Sequence, residues 1–380
     1  MSPTKCNRPA ADVRPTWLYP LFLHEKHEER ALTVCATDNH HGSAVGAEEP
    51  AVFIFDAPTV DSSESNFDDD SAVDNVSISG STTVSVRVYD FRLQHGRRYH
   101  ALHSDAEYHL PNDAAELDRL DLQHHLFKLT IDGALYKSPL PEDVHYVLDV
   151  GAGSGIWTIE FAEKHPSALV VGTDLSPVEP KGQPDNCRFY VEDVEQDWNF
   201  DNDFDFIHAR MLVVAIKDWA GFFQTAYAHL KPGGWLEMQD IVSPMPRCDD
   251  GTAAPDSPLM RWGESMRVAS RRIGIDLHAA DTFTNLMRAA GFEDIHIQTE
   301  IWPFGRWPKD EKLKERARWA AENMIQGLEG FSMSFFTRVL GWSEGDVRAL
   351  VEQAAAQIRD RSSHTYMLVV FVWGRKPLDP

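Results

Sequence analysis

The sequence contains little cysteine, and its four cysteines lie far apart. They occupy positions 6, 35, 187 and 248, and none belongs to a C-x-x-C pair. Zinc sites and the disulfide frameworks of small secreted domains need closely and regularly spaced cysteines. The pattern therefore predicts neither kind of site and favours a reducing compartment. We expect the cytoplasm, with the nucleus as the alternative.

Long hydrophobic runs are also lacking. A membrane-spanning helix needs about 18 or more apolar residues in succession, and no segment of the chain approaches that length. The apolar segment 17–23 (WLYPLFL) contains Pro20 and is followed by HEKHEER rather than by a small-residue cleavage site. We therefore expect no membrane association and no export signal.

Positive charge is scarce throughout the chain. Lysine and arginine number 36 against 59 acidic residues, which gives a net charge of −23. A protein that binds DNA or RNA needs a basic face to contact phosphates. The charge balance therefore argues against direct binding of nucleic acid. The segment 61–81 is acidic, rich in serine and poor in aromatic residues, which is typical of a disordered segment.

The most informative stretch is 144–157, which reads VHYVLDVGAGSGIW. Residues 144–150 have the β-branched content and the length of a buried parallel strand, and the residues from Ile156 onward read as a helix. Between them, Gly151, Gly153 and Gly155 allow the backbone to turn and to approach a ligand closely. The stretch therefore predicts a nucleotide-type site at a strand-to-helix turn.

The spacing of the glycines distinguishes between two classes of ligand. The dinucleotide fingerprint G-x-G-x-x-G requires a glycine where this chain has Ile156. Asp149, two residues before Gly151, would also repel a pyrophosphate. S-adenosylmethionine carries an ammonium and a sulfonium but no phosphate, so an acidic strand end suits it better. We therefore expect S-adenosylmethionine to be the cofactor, with Asp149 and the three glycines contributing to its site.

Two further predicted strands end in acidic residues. The first, 168–173, is followed by Asp174, a position from which a carboxylate can accept hydrogen bonds from both ribose hydroxyls. The second, 187–191, is followed by Glu192 and Asp193, and a carboxylate there can accept a hydrogen bond from the adenine amino group. Each residue could instead be an ordinary turn former, but the regular recurrence of the pattern favours the cofactor site.

Five motifs together resemble the successive motifs of class I S-adenosylmethionine-dependent methyltransferases. They are LDVGAGSGIW, VGTDLSP, EDVEQDW, DFIHAR and HLKPGGWLEMQD, and the upstream segment 96–127 resembles the fungal LaeA-like group. The resemblance implies an α/β, Rossmann-like fold: a seven-stranded, mostly parallel sheet with helices on both faces, a helical cap, and an antiparallel last strand inserted at the edge. It also implies that Val194 and Arg210 contribute to the cofactor site.

The same resemblance implies that a lid formed by the segment 96–140 faces the site, and it suggests candidates for catalysis. Tyr99 and the helix that carries His125 would face the acceptor, with Tyr99 also contacting the cofactor. His208 ends the fourth predicted strand and is the first candidate for a general base, because imidazole titrates near neutral pH. A buried structural histidine is the alternative interpretation of His208. The candidates, in order, are His208, Tyr99 and His125.

The chain divides into three predicted parts. Residues 1–82 form a disordered acidic region, and residues 83–140 contribute a strand and the cap helices. Residues 141–380 form the methyltransferase domain, with helical insertions at 254–274 and 309–360.

Three functions are compatible with these features. The first is methylation of a small-molecule acceptor of secondary metabolism, since the aromatic-rich cap could enclose an apolar molecule. The second is a nuclear regulator of secondary metabolism and development that acts through protein partners, as in part of the LaeA-like group. The third, an NAD-linked oxidoreductase, conflicts with Ile156 and Asp149.

Overall fold

The computed structural model describes residues 91–100, 108–178, 180 and 182–378. The predicted disordered region 1–82 and the predicted strand at 83–89 lie outside these residues, as do residues 379–380. Among the helices that are described, none is long and apolar enough to cross a lipid bilayer.

Within the described residues, nine strands form two sheets. A two-stranded antiparallel hairpin precedes the central sheet of seven strands, in which apolar β-branched runs supply most of the buried positions. The hairpin consists of β1 (Phe91–Gln94) and β2 (Arg97–His100), and the central sheet of β3 (Tyr146–Val150), β4 (Leu169–Asp174), β5 (Cys187–Val191), β6 (Phe204–Arg210), β7 (Leu230–Ile241), β8 (Glu293–Pro303) and β9 (Tyr366–Arg375).

The order of strands in the central sheet is β5-β4-β3-β6-β7-β9-β8. The first five strands pair in parallel, and β9 runs antiparallel to both of its neighbours. This confirms the predicted mostly parallel sheet with an antiparallel last strand, although β9 lies one place in from the edge and β8 forms the edge itself. The strand order reverses between β3 and β6, which places a crevice at their carboxyl ends.

Seven α-helices accompany the strands in the described residues. Helices cover both faces of the sheet, and several of the later ones pack on one another above its carboxyl edge. They are α1 (Ala114–Thr130), α2 (Ile156–Lys164), α3 (Trp219–Ala228), α4 (Pro258–Arg272), α5 (Phe283–Ala290), α6 (Glu311–Ser334) and α7 (Glu344–Arg359), with a 3₁₀ turn at Ala279–Thr282 and a π-helical turn at Phe335–Val339.

The core divides into two layers because successive side chains of a strand point to opposite faces. Val147 and Phe206 pack beneath α2 in the smaller layer. Their neighbours Leu148 and Ile207 belong to the larger layer, which extends into α3, α4, α5 and the cap. The cap is built from α1, α6, α7 and α4, since α1 contacts α6, α6 contacts α7, and α7 contacts α4.

Several predicted boundaries agree with the structure, and others do not. The start signal at 111–113 was correct: Asp113 caps α1 by accepting a hydrogen bond from the Glu116 amide. The segment 231–234 (KPGG) has the composition of a helix stop but lies within β7. Gly234 is needed there because a Cβ would lie 2.9 Å from the Lys231 carbonyl oxygen and 3.0 Å from that of Phe204.

The hairpin and the length of α6 were not predicted. α6 runs without interruption from Glu311 to Ser334. Gly330 lies inside this helix, and a Cβ at that position would approach Arg97 Nη1 to 2.9 Å and Pro111 Cγ to 3.1 Å. This glycine therefore allows close approach of the hairpin and the start of the cap, and it does not mark the end of a helix.

The buried aromatic contact between α3 and α5 yields a stability prediction. Phe283 is fully buried, with its ring 4.5 Å from that of Trp219 and 5.4 Å from that of Phe223. We expect Phe283→Ala to lower the free energy of unfolding by about 3–5 kcal/mol, because it leaves a cavity that cannot fully collapse. Denaturant unfolding measures this loss. Leu93→Ala is the control, since Leu93 is 79% exposed, and it should change the free energy by less than about 0.5 kcal/mol.

Candidate functional site

The glycine turn joins β3 to α2 at the crevice. Gly151, Gly153 and Gly155 all have positive φ values, of 72°, 59° and 80°. At Gly151 a Cβ would lie 2.6 Å from Leu212 Cδ2, and at Gly155 it would lie 2.8 Å from the Phe189 ring. Both the backbone conformation and the surrounding space therefore require glycine at these two positions. Gly151 and Gly153 line the crevice, whereas Gly155 shapes the turn behind it.

Asp174 lies at the end of β4, facing the glycine turn. Its carboxylate accepts hydrogen bonds from the amides of Gly153 (2.9 Å) and Ser176 (3.0 Å). Burial raises the pKa of Asp174 to about 6, against the opposing effect of these two amides. This places the carboxylate at the turn, as expected of a group that accepts hydrogen bonds from a ligand.

Two cavities meet at this point. The smaller has an empty volume of about 800 Å³ and is lined by the predicted residues Asp193 and Val194, together with Glu192. Burial raises the pKa of Glu192 to about 7. The larger cavity has an empty volume of about 1550 Å³ including its open mouth. The two are adjacent, since five residues line both: Tyr108, Gly151, Asp174, Leu212 and Val214.

The larger cavity is enclosed mainly by apolar side chains from the cap and the sheet. α1 forms one wall, and α4, α6 and the ends of β7, β8 and β9 form the other. Its apolar residues include Leu120, Ile241, Trp262, Met266, Trp302, Phe304, Met324, Phe331 and Met367. Trp262 and Met266, expected at best to be wall residues, do contribute to this wall.

Arg210, at the end of β6, is one of the residues that line the larger cavity. Nη1 lies 3.1 Å from His124 Nδ1, and the guanidinium carbon lies 5.0 Å from the centre of the Phe127 ring. Burial lowers the pKa of His124 to about 2, with Arg210 adding to the effect, so the imidazole is neutral and its Nδ1 accepts the hydrogen bond. Burial also lowers the pKa of Arg210 to about 10, which leaves it charged at neutral pH.

Glu160 and Lys128 extend this contact away from the cavity. His124 Nε2 lies 3.3 Å from Glu160 Oε1, although poorly aligned for a full hydrogen bond. The other oxygen of Glu160 accepts a hydrogen bond of 2.6 Å from Lys128 Nζ. The chain of contacts holds the Arg210 guanidinium in a fixed orientation.

Asp149 and His208, both expected to contact a ligand, contact each other in the structure, and their roles toward a ligand stay predictions. His208 is fully buried, its Nδ1 donates a hydrogen bond of 2.8 Å to Asp149 Oδ1, and its ring stacks on Trp157 at a centroid distance of 3.8 Å. Thr158 donates to the other oxygen of Asp149 at 2.6 Å. Neither Asp149 nor His208 lines either cavity, because both point to the face of the sheet that α2 covers. The alternative interpretation, a buried structural histidine, describes His208.

Tyr99 and His125 also lie away from the cavities. Tyr99 is 2% exposed on β2, where its backbone bridges to Pro111, and its ring packs inside the protein. His125 is exposed and contacts the Trp319 ring edge-on at 4.5 Å. Successive residues of a helix are about 100° apart, so His124 faces inward and His125 outward. The structure places neither Tyr99 nor His125 in the wall of either cavity, and the catalytic and cofactor roles expected of them stay predictions.

Some residues of the site were not predicted. Tyr108 lies in the wall shared by both cavities, and burial raises its pKa, so its hydroxyl stays protonated. Asp240 accepts hydrogen bonds from the amides of Leu212 (2.8 Å) and Val213 (2.9 Å) and so fixes the loop after β6. The only sequence signal for Tyr108 was its position in the upstream motif, which gave no reason to prefer it to Tyr99.

Comparison with known proteins gives several matches. Residues 122–297 match a family model described as a methyltransferase domain. A protein of Aspergillus terreus named Methyltransferase pytC is 39% identical over 300 residues, which are 79% of this chain and 92% of that protein. Probable methyltransferase tdiE of Emericella nidulans is 37% identical over 270 residues, which are 70% of this chain and 83% of that protein. Secondary metabolism regulator LAE1 of Cochliobolus heterostrophus is 36% identical over 292 residues, which are 75% of this chain and 94% of that protein.

The buried pair of Asp149 and His208 leads to a second stability prediction. Asp149→Ala should lower the free energy of unfolding by about 3–5 kcal/mol, because it leaves His208 and Thr158 without their buried partner. Thermal or denaturant unfolding measures the change, with the exposed Asp197→Ala as control at less than about 0.5 kcal/mol. An unchanged stability of Asp149→Ala would contradict the structural role.

Proposed function

The chain belongs to the methyltransferase family, and from this premise we propose that it transfers a methyl group from S-adenosylmethionine to a small-molecule acceptor of secondary metabolism. Its relatives include the LaeA-like group that the upstream motif predicted. The observation that carries the proposal is the large apolar cavity that opens directly onto the glycine turn.

S-adenosylmethionine is the cofactor, and the residues around the two cavities suit its functional groups. The Asp174 carboxylate would accept hydrogen bonds from the ribose hydroxyls, and Asp193 or Glu192, with Val194 beside them, would hold the adenine. Arg210 would hold the carboxylate of the amino-acid portion, since a guanidinium binds carboxylates through paired hydrogen bonds.

The chemistry that the cofactor supplies is a methyl group on a sulfonium, which is already activated for displacement. The protein contributes mainly by holding the acceptor in line with that methyl and by excluding water. Leu212 and Val214 lie in the walls of both cavities, and the bonds from the Leu212 and Val213 amides to Asp240 keep this loop in place. Tyr108 adds a neutral hydroxyl at the same junction.

A small molecule is the acceptor that this cavity suits best. Small-molecule sites are concave, mostly apolar, and carry a few placed polar groups. Trp262, Trp302 and Phe304 supply the apolar walls, and all three are almost fully buried in the protein. Two relatives that cover most of this chain are named as methyltransferases, which supports an enzyme rather than a binding module.

A regulator of secondary metabolism is the second candidate. It is favoured by relatives of that name, which match the chain at 36% and 34% identity. Such a protein would bind the cofactor and act through protein partners, and its location in the nucleus stays a prediction. The two candidates differ in whether a methylated small molecule is formed.

Calorimetric titration with S-adenosylmethionine and S-adenosylhomocysteine, followed by a methyl-transfer screen against extracts of the source organism, tests the proposal. We expect both compounds to bind and a methylated small molecule to appear. Gly151→Ala should abolish binding, whereas Gly182→Ala should retain it, since Gly182 has a similar φ but no atom within 4 Å of its Cβ position. Binding without any methylated product would favour the regulator, and absence of binding by the wild-type protein would refute both candidates.

The affinity for S-adenosylhomocysteine should depend on the protonation of Asp174. Only the ionised carboxylate can accept from both ribose hydroxyls, and its pKa is raised to about 6 by burial. Affinity should therefore be full above pH 7 and fall by up to about tenfold per pH unit as the pH drops below 6. Calorimetry between pH 5 and pH 8 measures this.

Asp174→Asn and Glu192→Gln separate the two carboxylates that titrate in this range. Asp174→Asn should bind S-adenosylhomocysteine weakly, and its affinity should no longer change with pH near 6. The affinity of Glu192→Gln should still change with pH near 6. A wild-type affinity that does not change with pH would contradict the assignment of Asp174.

A further inference from the structure

The larger cavity contains a polar corner, formed by α1 and α6 and defined by Glu116, Arg119, Gln123 and Asn323. All four side chains line the cavity, and each is at most 6% exposed. Such groups are costly to bury unless they have hydrogen-bonding partners. Their remaining hydrogen-bonding capacity therefore indicates what the cavity is built to hold.

Arg119 organises this polar corner. It donates to both oxygens of Glu116, at 2.6 Å from Nη2 and 3.1 Å from Nε, and Nη1 donates to Asn323 Oδ1 at 2.6 Å. The Phe331 ring lies 4.9 Å from the guanidinium carbon. Arg119 already donates to the oxygen of the Asn323 amide, and the N–H groups of that amide are left to donate to a ligand.

Gln123 lies one helical turn after Arg119 on the same face of α1. Its side chain is 3% exposed, and it makes no hydrogen bond to any other residue in the described part of the chain. A buried amide without a protein partner, in the wall of a cavity, is expected to be satisfied by the cavity's occupant. The polar corner is therefore rich in donors that have no acceptor in the protein.

The charges in the cavity wall are also unbalanced. Among the described residues, three guanidinium groups (Arg98, Arg119, Arg210) and two carboxylates (Glu116, Asp174) line the larger cavity. The cofactor adds a sulfonium, an ammonium and a carboxylate, which is one further positive charge. An occupant with a negative charge would therefore be stabilised here, and a protonated amine would be repelled.

No imidazole lines the larger cavity in the part of the chain that the structure describes. Glu116 is held by Arg119 on both oxygens, and Asp174 would be engaged by the ribose. The Tyr108 hydroxyl keeps its proton. Among the described residues, the wall of the larger cavity thus offers no free base to remove a proton from a neutral acceptor.

We propose that the acceptor is a mainly apolar molecule that reacts through an oxygen already ionised at neutral pH, with a second oxygen bound in the polar corner by Asn323 and Gln123. Acidic enols, acidic phenols and carboxylic acids share this chemistry. The inference rests on the proposed function, since it concerns the acceptor of the same methyl transfer.

The reaction balances without a base. A lone pair of the anionic oxygen forms the new O–CH₃ bond, and the S–CH₃ bond breaks with its electron pair moving to sulfur. The negative charge of the acceptor and the positive charge of the sulfonium cancel, and the products are a methyl ether or ester and S-adenosylhomocysteine. No proton is transferred in the step, which is consistent with a wall that lacks an imidazole.

The test compares three probes with the same ring on the full-length protein loaded with S-adenosylhomocysteine. These are 4-hydroxycoumarin, coumarin-4-carboxylic acid and 4-aminocoumarin, titrated by calorimetry at pH 7.5. We expect at least one of the two anions to bind about tenfold or more tightly than the amine, as for hydrogen bonds to a charged group. Replacing S-adenosylhomocysteine by S-adenosylmethionine should convert the bound anion into its methyl ether or ester, detected by mass spectrometry.

Gln123→Leu provides the matched variant. Because the Gln123 amide has no partner to lose, the variant should fold and bind S-adenosylhomocysteine as the wild type does, while its preference for the anion should drop by about tenfold. Gln353→Leu, at an exposed position on α7, should change neither the affinity for S-adenosylhomocysteine nor the preference for the anion.

The results separate this inference from the proposed function. Failure of the wild-type protein to bind S-adenosylhomocysteine would refute the proposed function itself. If S-adenosylhomocysteine binds but the amine binds as tightly as the anions, or neither anion binds, the inference is overturned while the proposed function stands. An unchanged anion preference in Gln123→Leu would also overturn the assignment of the polar corner.

Discussion

The contact between Asp149 and His208 joins the two central strands where the strand order reverses. The two residues are directly opposed in the register of β3 and β6, and the stacking of His208 on Trp157 adds α2 to the same contact. The glycine turn starts two residues after Asp149, and Arg210 follows two residues after His208. The positions of the turn and of the guanidinium are therefore set by one buried polar contact. The opposite face of the sheet remains free for the apolar core and the cavity.

The cap converts this framework into an enclosed site. α1 brings Leu120 so close to the glycine turn that a Cβ on Gly153 would lie 3.0 Å from Leu120 Cδ1. The same helix supplies Arg119 and Gln123 to the cavity wall and His124 to Arg210. One face of α1 thus serves both the cofactor region and the acceptor region. A displacement of α1 would therefore change both the cofactor region and the acceptor region.

The sequence allowed the sheet to be predicted because buried parallel strands leave a strong local signal. The segment 187–191 was predicted at its exact bounds, and Asp174 was expected at the end of β4, where it lies. The sequence did not predict as well to which face of the sheet a side chain points. A histidine at the end of a strand looks like a candidate base in the sequence, and only the packing of α2 reveals that His208 points away from the cavity. Tyr108, Gln123 and Asn323 come together through the packing of α1 and α6, which no local pattern encodes. Gly330 was similarly ambiguous, since a glycine in a helix indicates either an end or a close neighbour.

The position of β8 has a consequence for the behaviour of the protein at high concentration. β8 forms an edge of the central sheet and pairs only with β9 among the described residues, so the backbone groups of its outer side are open to pairing with another chain. Such edges promote aggregation unless charges or irregularities interrupt them. Here the register is broken between Glu293 and His296, and Asp294 adopts a positive φ of 51° within the break. Ile297 on β8 is 57% exposed. The break in register and the charge of Glu300 protect this edge strand from pairing with a second molecule.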